Sequence, residues 1–306
     1  MHYSVVVFGV KDTTRSFVEY LNRSVCHVDL VVTIDRDIPQ HSVVSGYGSM
    51  DRLEEEGTRV FRSPAYDLKG PAAEAFFSEN TFGIGISMNW SRLIPAWVLG
   101  RFEAGVFGLH GSCGYLPFGQ GRATLNWSLI HGVGRFVMHV FKLDAGVDSP
   151  NIHSRLMFEV NEFDDIRTLQ YKDLLVSRQL AAGLLRDYCS GAPIRTRLRE
   201  NDLCTRYPGR RPEDGRIDMT AYTRQIYNLV RAVTHPFPGA FASCAGRRVT
   251  IWRAQPFDCM LDFSSCRTGE VVEVLDGRPI VRTVDGSLLV TEYESDLPLQ
   301  TGDLLE

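Results

Sequence analysis

His110 and Asp148 are the residues of this chain best placed for chemistry. The apolar run Ala104-Gly105-Val106-Phe107-Gly108-Leu109 delivers His110 just before Gly111 and Ser112, the pattern of a buried strand presenting a titratable side chain at its C-terminal end. A second run, Phe136 to Leu143, leads into Asp144-Ala145-Gly146-Val147-Asp148, a strand followed by a turn that carries a carboxylate. An imidazole at a strand end can polarise a carbonyl or move a proton, and a carboxylate can orient it. Alone, the pair marks an active-site position without fixing a reaction. Ser112 lacks a G-x-S-x-G elbow, so a serine nucleophile is not expected. His131, His139 and His153 lie nearby without H-x-x-x-H spacing, so no metal is expected.

Such residues need a core and a sheet to hold them. The chain has 306 residues, 44% hydrophobic and 23% charged, enough for two globular domains. A net charge of −4 gives no global attraction for nucleic acid, and no nucleic-acid partner is expected. Seven cysteines without a C-x-x-C pair indicate neither a disulfide framework nor a zinc ribbon and fit a reducing compartment. The opening MHYSVVVFGV has no basic segment or long apolar core, and no run of about 18 apolar residues exists for a membrane span. A soluble, cytoplasmic protein without a membrane partner is the expectation.

Strand and helix patterns alternate from the start. Ser4 to Gly9 and Val28 to Ile34 read as buried strands, and Thr13 to Leu21 reads as a helix carrying Phe17, Val18 and Leu21 on one face. The turn Gly9-Val10-Lys11-Asp12 lacks G-x-G-x-x-G, which excludes a nicotinamide or flavin site there. Helices over Asp51 to Gly57, Pro71 to Ser78 and Ser91 to Leu99 flank a strand, Phe82 to Met88, that closes on Asn89. This alternation predicts an α/β domain with a doubly wound, mostly parallel, Rossmann-like sheet, with His110 and Asn89 on its carboxyl edge. A strand over Ser154 to Asn161 and a long helix over Asp164 to Tyr188 complete residues 1–202. Residues 190–218 turn to Arg, Pro, Gly and Asp, placing a boundary near residue 203. In 203–306 a helix over Thr220 to Val233 precedes short β runs separated by turns such as Asp276-Gly277 and Asp285-Gly286, which predicts a smaller, OB-like, five-stranded β domain.

Several spaced motifs then coincide. Gly108-Leu109-His110-Gly111-Ser112 is followed by Leu116-Pro117, Gly121-Arg122 and Asn126-Trp127, and later by Asp144, Gly146, Val147, Asp148 and Ile152. The second half adds Arg211-Pro212-Glu213-Asp214-Gly215-Arg216-Ile217-Asp218, Pro238-Gly239-Ala240-Phe241 and Ile251-Trp252-Arg253-Ala254. In this order, over nearly the whole chain, they resemble the folate-dependent formyltransferases, the family that includes methionyl-tRNA formyltransferase and the nucleotide-sugar N-formyltransferases. The chain departs from the family pattern at Gly108, where the catalytic asparagine stands two residues before the histidine, at Gln120, and at Ser149-Pro150-Asn151.

The resemblance implies N10-formyltetrahydrofolate as co-substrate, bound by Ser87, Met88, Asn89, Leu93, Gly146 and Val147, with Ser112, Arg122 and Asn126 on the acceptor. It makes His110 the residue that polarises the formyl oxygen or moves the amine proton, with Asp148 orienting it. Losing an amide donor from such a site costs about a hundredfold in rate. Asn89 is the first candidate to replace the missing amide and Asn126 the second, and Gly108→Asn is expected to be tolerated or activating. The branch most resembled formylates the amino group of a nucleotide-linked amino sugar for polysaccharide biosynthesis. Transfer to methionyl-tRNA is the alternative, yet residues 201–306 hold 12 Arg and no Lys against 15 Asp and Glu, a poor match to a polyanion. A formyltetrahydrofolate hydrolase, or a non-catalytic folate- or sugar-binding relative, is the third reading. A homodimer is possible by the same resemblance.

Overall fold

The computed structural model describes residues 1–35, 46–144, 151–197 and 203–306. The first strand, β1 (His2–Phe8), carries Val5, Val6, Val7 and Phe8 buried on both faces, the mark of a central parallel strand. α1 (Asp12–Ser24) buries Thr14, Phe17, Val18 and Leu21, one stripe at helical spacing. β2 (Leu30–Ile34), α2 (Asp51–Glu55), β3 (Arg59–Ser63), α3 (Pro71–Glu79), β4 (Thr81–Ser87), α4 (Ala96–Leu99) and β5 (Phe102–Ser112) continue the alternation. β6 (Gln120–Gly121), α5 (Thr124–Ile130), β7 (Arg135–Lys142), β8 (Asn151–Glu159) and α6 (Ile166–Cys189) follow. The seven-stranded sheet runs β3-β2-β1-β4-β5-β7-β8. Its first five strands are mutually parallel, and β7 pairs antiparallel with β5. One core of that sheet packs Phe8, Phe77, Phe82, Trp90 and Phe102 together, their rings 4.9–6.3 Å apart in the measured pairs.

After β9 (Arg206–Tyr207), α7 (Thr223–Val233) buries Ile226, Val230 and Val233. β10 (Ala240–Cys244), β11 (Arg247–Asp258), β12 (Val271–Leu275), β13 (Arg278–Thr283) and β14 (Gly286–Glu294) form an antiparallel sheet in the order β10-β11-β14-β13-β12. Register shifts along the 12-residue β11 opposite β14 bend it, as bulges do. The α/β domain with a mostly parallel sheet and the C-terminal antiparallel β domain are both present as read from the sequence.

The chain divides into two compact units. One comprises Met1–Phe118, Val137–Met157 and Asp173–Cys204; the other comprises Gly119–Phe136, Phe158–Lys172 and Thr205–Glu306. Compared with a single boundary near residue 203, the second unit also takes in α5 and the entry to α6. Polar bonds explain why. The Asn126 amide donates to the Ala232 carbonyl (2.7 Å), and the Arg231 guanidinium donates to the Asn161 and Asp164 carbonyls (2.7 and 2.9 Å). Both side chains are buried, so each bond also satisfies a group that burial would otherwise penalise.

Three α-helices or strands of five or more residues were not expected. β3 has the sequence RVFRS at an edge, with no apolar run to announce it, and β10 lies inside a stretch that read only as a motif. α5 starts after Ala123 in the left-handed conformation without a side-chain cap, so the usual N-terminal signal is missing. No described helix is long and apolar enough to cross a membrane.

Candidate active site

β5 changes partners along its length, and that change positions His110. Its parallel pairing with β4 ends at Ser87↔Gly108, while its antiparallel pairing with β7 runs from Phe107↔Lys142 to Ser112↔Val137. His110 therefore lies past the end of β4, two residues inside the strand rather than at its terminus. Cross-strand partners share a face, so Gly108, His110 and Ser112 line up with Phe141, His139 and Val137.

This face is poor in water. The Nε2 of His110 is buried and has no hydrogen-bond partner, and desolvation by burial pushes its pKa down to about 4. His139, directly opposite, is 0% exposed. Burial lowers its pKa to about 4 as well; the backbone of His110 and Val137 pulls upward, and the His110 charge pushes down. The Leu116 backbone N–H donates to His139 Nε2 (3.4 Å), whereas His139 Nδ1 is buried without a hydrogen-bond partner. Both imidazoles are thus neutral near pH 7. The following loop is braced by Ser112, whose Oγ donates to the Phe118 carbonyl (2.5 Å) and accepts from the Gly114 N–H (3.2 Å). That bonding makes Ser112 a loop anchor.

Gly108 is filled space rather than a gap. A Cβ placed there would lie 3.0 Å from Leu143 Cδ2 and 3.1 Å from Phe141 Cζ, because the Phe141 ring sits across the strand over the glycine. To admit a side chain at 108, Phe141 or Leu143 must give by a few tenths of an ångström, and overpacking where they do not costs about 1–3 kcal/mol. Gly108→Asn is expected to lower the unfolding free energy in urea by up to that amount without raising turnover, and Gly108→Asn/Phe141→Ala to recover part of the stability. Chemical denaturation of the two variants checks this.

The other predicted site residues fall into two groups. Ser87, Met88 and Asn89 leave the carboxyl end of β4 beside the β1–α1 turn. Met88 N–H donates to the Phe8 carbonyl (2.8 Å), and Thr14 Oγ1 donates to the Met88 carbonyl (3.0 Å). Gly9 permits this approach, since a Cβ there would lie 2.4 Å from the Met88 oxygen. Asn89 has φ +64°, and its amide donates to Thr13 Oγ1 (2.9 Å). Leu93 is 75% exposed. In the second unit, the Asn126 amide donates one N–H to Ala232, as described above. The Arg122 backbone N–H donates to the Tyr207 carbonyl (3.2 Å), and its exposed side chain makes no hydrogen bond or ion pair among the described residues. Asp148, Gly146 and Val147 lie outside the described residues.

Sequence reasoning missed His139 and Phe141, whose importance depends on a register set between strands far apart in the chain. It also missed Lys11 and Asp173. Burial raises the Asp173 carboxyl to about 7 with Lys11 pulling it back, and burial lowers the Lys11 ammonium with Asp173 pulling it up. Among the described residues no group of three or more His, Cys, Asp or Glu could hold a metal ion.

Comparison with known proteins gives this arrangement a context. Residues 210–297 match the family model described as formyl transferase, C-terminal domain. The fold is similar to HypX of Aquifex aeolicus, with TM-score 0.64 and 16% identity over 97% of this chain and 45% of HypX, so the chain spans less than half of that protein. It is similar to the N-formyltransferase of Helicobacter canadensis in complex with folinic acid and dTDP-3-aminofucose, with TM-score 0.63 and 14% identity over 94% of this chain and 98% of the other. It is also similar to methionyl-tRNA formyltransferase of Clostridium thermocellum, with TM-score 0.55 and 15% identity over 83% and 93%. Residues 210–297 thus carry a formyl transferase C-terminal domain, and the fold of the chain is the one seen in these formyltransferases.

Proposed function

We propose that the protein transfers a formyl group from N10-formyltetrahydrofolate to the amino group of a nucleotide-linked amino sugar. In this reaction the bond from the formyl carbon to N10 breaks and one to the acceptor nitrogen forms, while the proton lost by the amine is balanced by one gained at N10. The observation that carries the reading is the unpartnered, buried Nε2 of His110, a nitrogen held neutral on a dry strand face. A carbonyl oxygen or an amine proton would satisfy it, so the residues present fit a formyl donor. His110 would bind and orient that group and take or give the proton, with Asp148 as its orienting carboxylate. Ser87, Met88 and Asn89 would hold the folate at the carboxyl end of β4, where α/β sheets place their ligands.

Two observations favour a sugar acceptor over tRNA. Residues 201–306 are net acidic, with 12 Arg and no Lys against 15 Asp and Glu. The Helicobacter canadensis relative, similar over nearly its full length, was seen with a dTDP-linked amino sugar. The test is turnover of N10-formyltetrahydrofolate against UDP-, GDP- and dTDP-linked amino sugars, with methionyl-tRNA and no acceptor as parallel reactions. A formamide on one sugar, with no formylated tRNA, is the expected result. Release of free formate at the same rate with and without acceptor would replace this reading by a hydrolase.

A further inference from the structure

The family's second donor to the formyl oxygen is an asparagine amide, and at Gly108 this chain has none. Of the two asparagines first considered as replacements, Asn89 donates one amide N–H to Thr13 and Asn126 donates one to Ala232, which ties each side chain to another partner. The His110 face nevertheless holds an unspent donor. His139 Nε2 accepts from the Leu116 N–H, so the single proton of this neutral ring resides on Nδ1, which makes no well-formed hydrogen bond and has only the His110 and Val137 backbone pulling on the ring. His139 faces His110 directly in the register, where Cβ atoms of cross-strand pairs are about 5 Å apart.

We propose that His139 supplies the second hydrogen-bond donor to the formyl oxygen, in place of the amide absent at Gly108. This rests on the formyl-transfer reading above. Two buried imidazole nitrogens without partners, on directly opposed residues, are an uncommon pair, since buried polar groups are nearly always hydrogen-bonded. One small polar atom between them would satisfy both. The Phe141 ring lies against Gly108, where this chain carries no donor, and the donor comes from one cross-strand pair further along the same face. The neutral state of His139 matters, because its Nδ1–H must donate while Nε2 remains the acceptor of Leu116.

The test compares wild type, His139→Asn and His139→Leu in the full chain. The probes are 10-formyl-5,8-dideazafolate, a stable analogue with its formyl group on N10, and the same compound without the formyl group. Calorimetry is expected to show that wild type prefers the formylated compound by about tenfold, the effect of one neutral hydrogen bond. His139→Leu should lose that preference while binding the unformylated compound normally, and should lower kcat about a hundredfold. His139→Asn, which keeps an N–H donor, should retain part of both. An unchanged preference in His139→Leu would overturn the proposal, as would equal impairment of the two variants, which marks a purely structural histidine. Failure of wild type to bind either compound removes the folate reading itself, and the role of His139 falls with it; normal folate binding without discrimination by His139 overturns only the latter.

Discussion

His110→Ala is expected to lower kcat for formyl transfer by about 10²–10⁴, the combined range for losing a positioned acid–base group or an oxyanion donor. Folding should survive. The side chain lies on the β5 extension past the end of β4, and its Nε2 contributes no hydrogen bond to the fold. The thermal midpoint is therefore expected to stay within a few degrees of wild type. KM for the folate should change less than kcat, because the folate is proposed to be held by the turn after β4 rather than by β5. The measurement is single-turnover transfer to the best acceptor from the sugar panel, alongside a melting curve. Near-wild-type turnover in His110→Ala would end the assignment of this face as the catalytic one.

The second large effect is on stability against pH. His110 and His139 have pKa values of about 4 in the folded protein, below the ordinary 6.5, so between those limits the unfolded chain binds protons that the folded chain refuses. Their contribution is complete above about pH 7 and is lost as pH falls toward 4, by about 3 kcal/mol for each imidazole. Asp173 runs the other way. Its carboxyl is raised from 3.8 to about 7, so its burial penalises the folded state at neutral pH and that penalty fades on acidification. The overall slope is thus smaller than two histidines alone would give. Comparing His139→Asn with wild type isolates one imidazole: its stability relative to wild type should rise by about 2–3 kcal/mol between pH 7.5 and 4.5. Urea midpoints at four pH values measure this, and parallel pH profiles for the two proteins would contradict it.

Much of the framework was legible because burial on two faces writes itself as a continuous apolar run. SVVVFG, VDLVVTI and FGIGISM correspond to β1, β2 and β4, and AGVFGL correctly pointed to the strand bearing His110. The end of that strand was misplaced by two residues, because Gly111 and Ser112 look like a turn although they pair with Met138 and Val137. β3 escaped notice because an edge strand need not be apolar, and α5 because its entry depends on Ala123 adopting a left-handed conformation that few side chains favour. His110 stood out from its own neighbourhood in the chain, but the residue that faces it, His139, is 29 positions away and meets it only through register. No pattern of residues in one sequence encodes that register directly.

The ring of Phe141 lying over Gly108 also constrains the history of the two positions. An ancestor with asparagine at 108 and a large ring at 141 would have carried two side chains competing for one volume. A side chain at 108 is therefore admitted only as far as the Phe141 ring or the Leu143 methyl gives way. Relatives that keep the asparagine are expected to carry a small or flexible residue at the facing position, and those with glycine an aromatic one. The two sites should thus be inherited as a unit, and a histidine at 139 should travel with the glycine rather than with the asparagine.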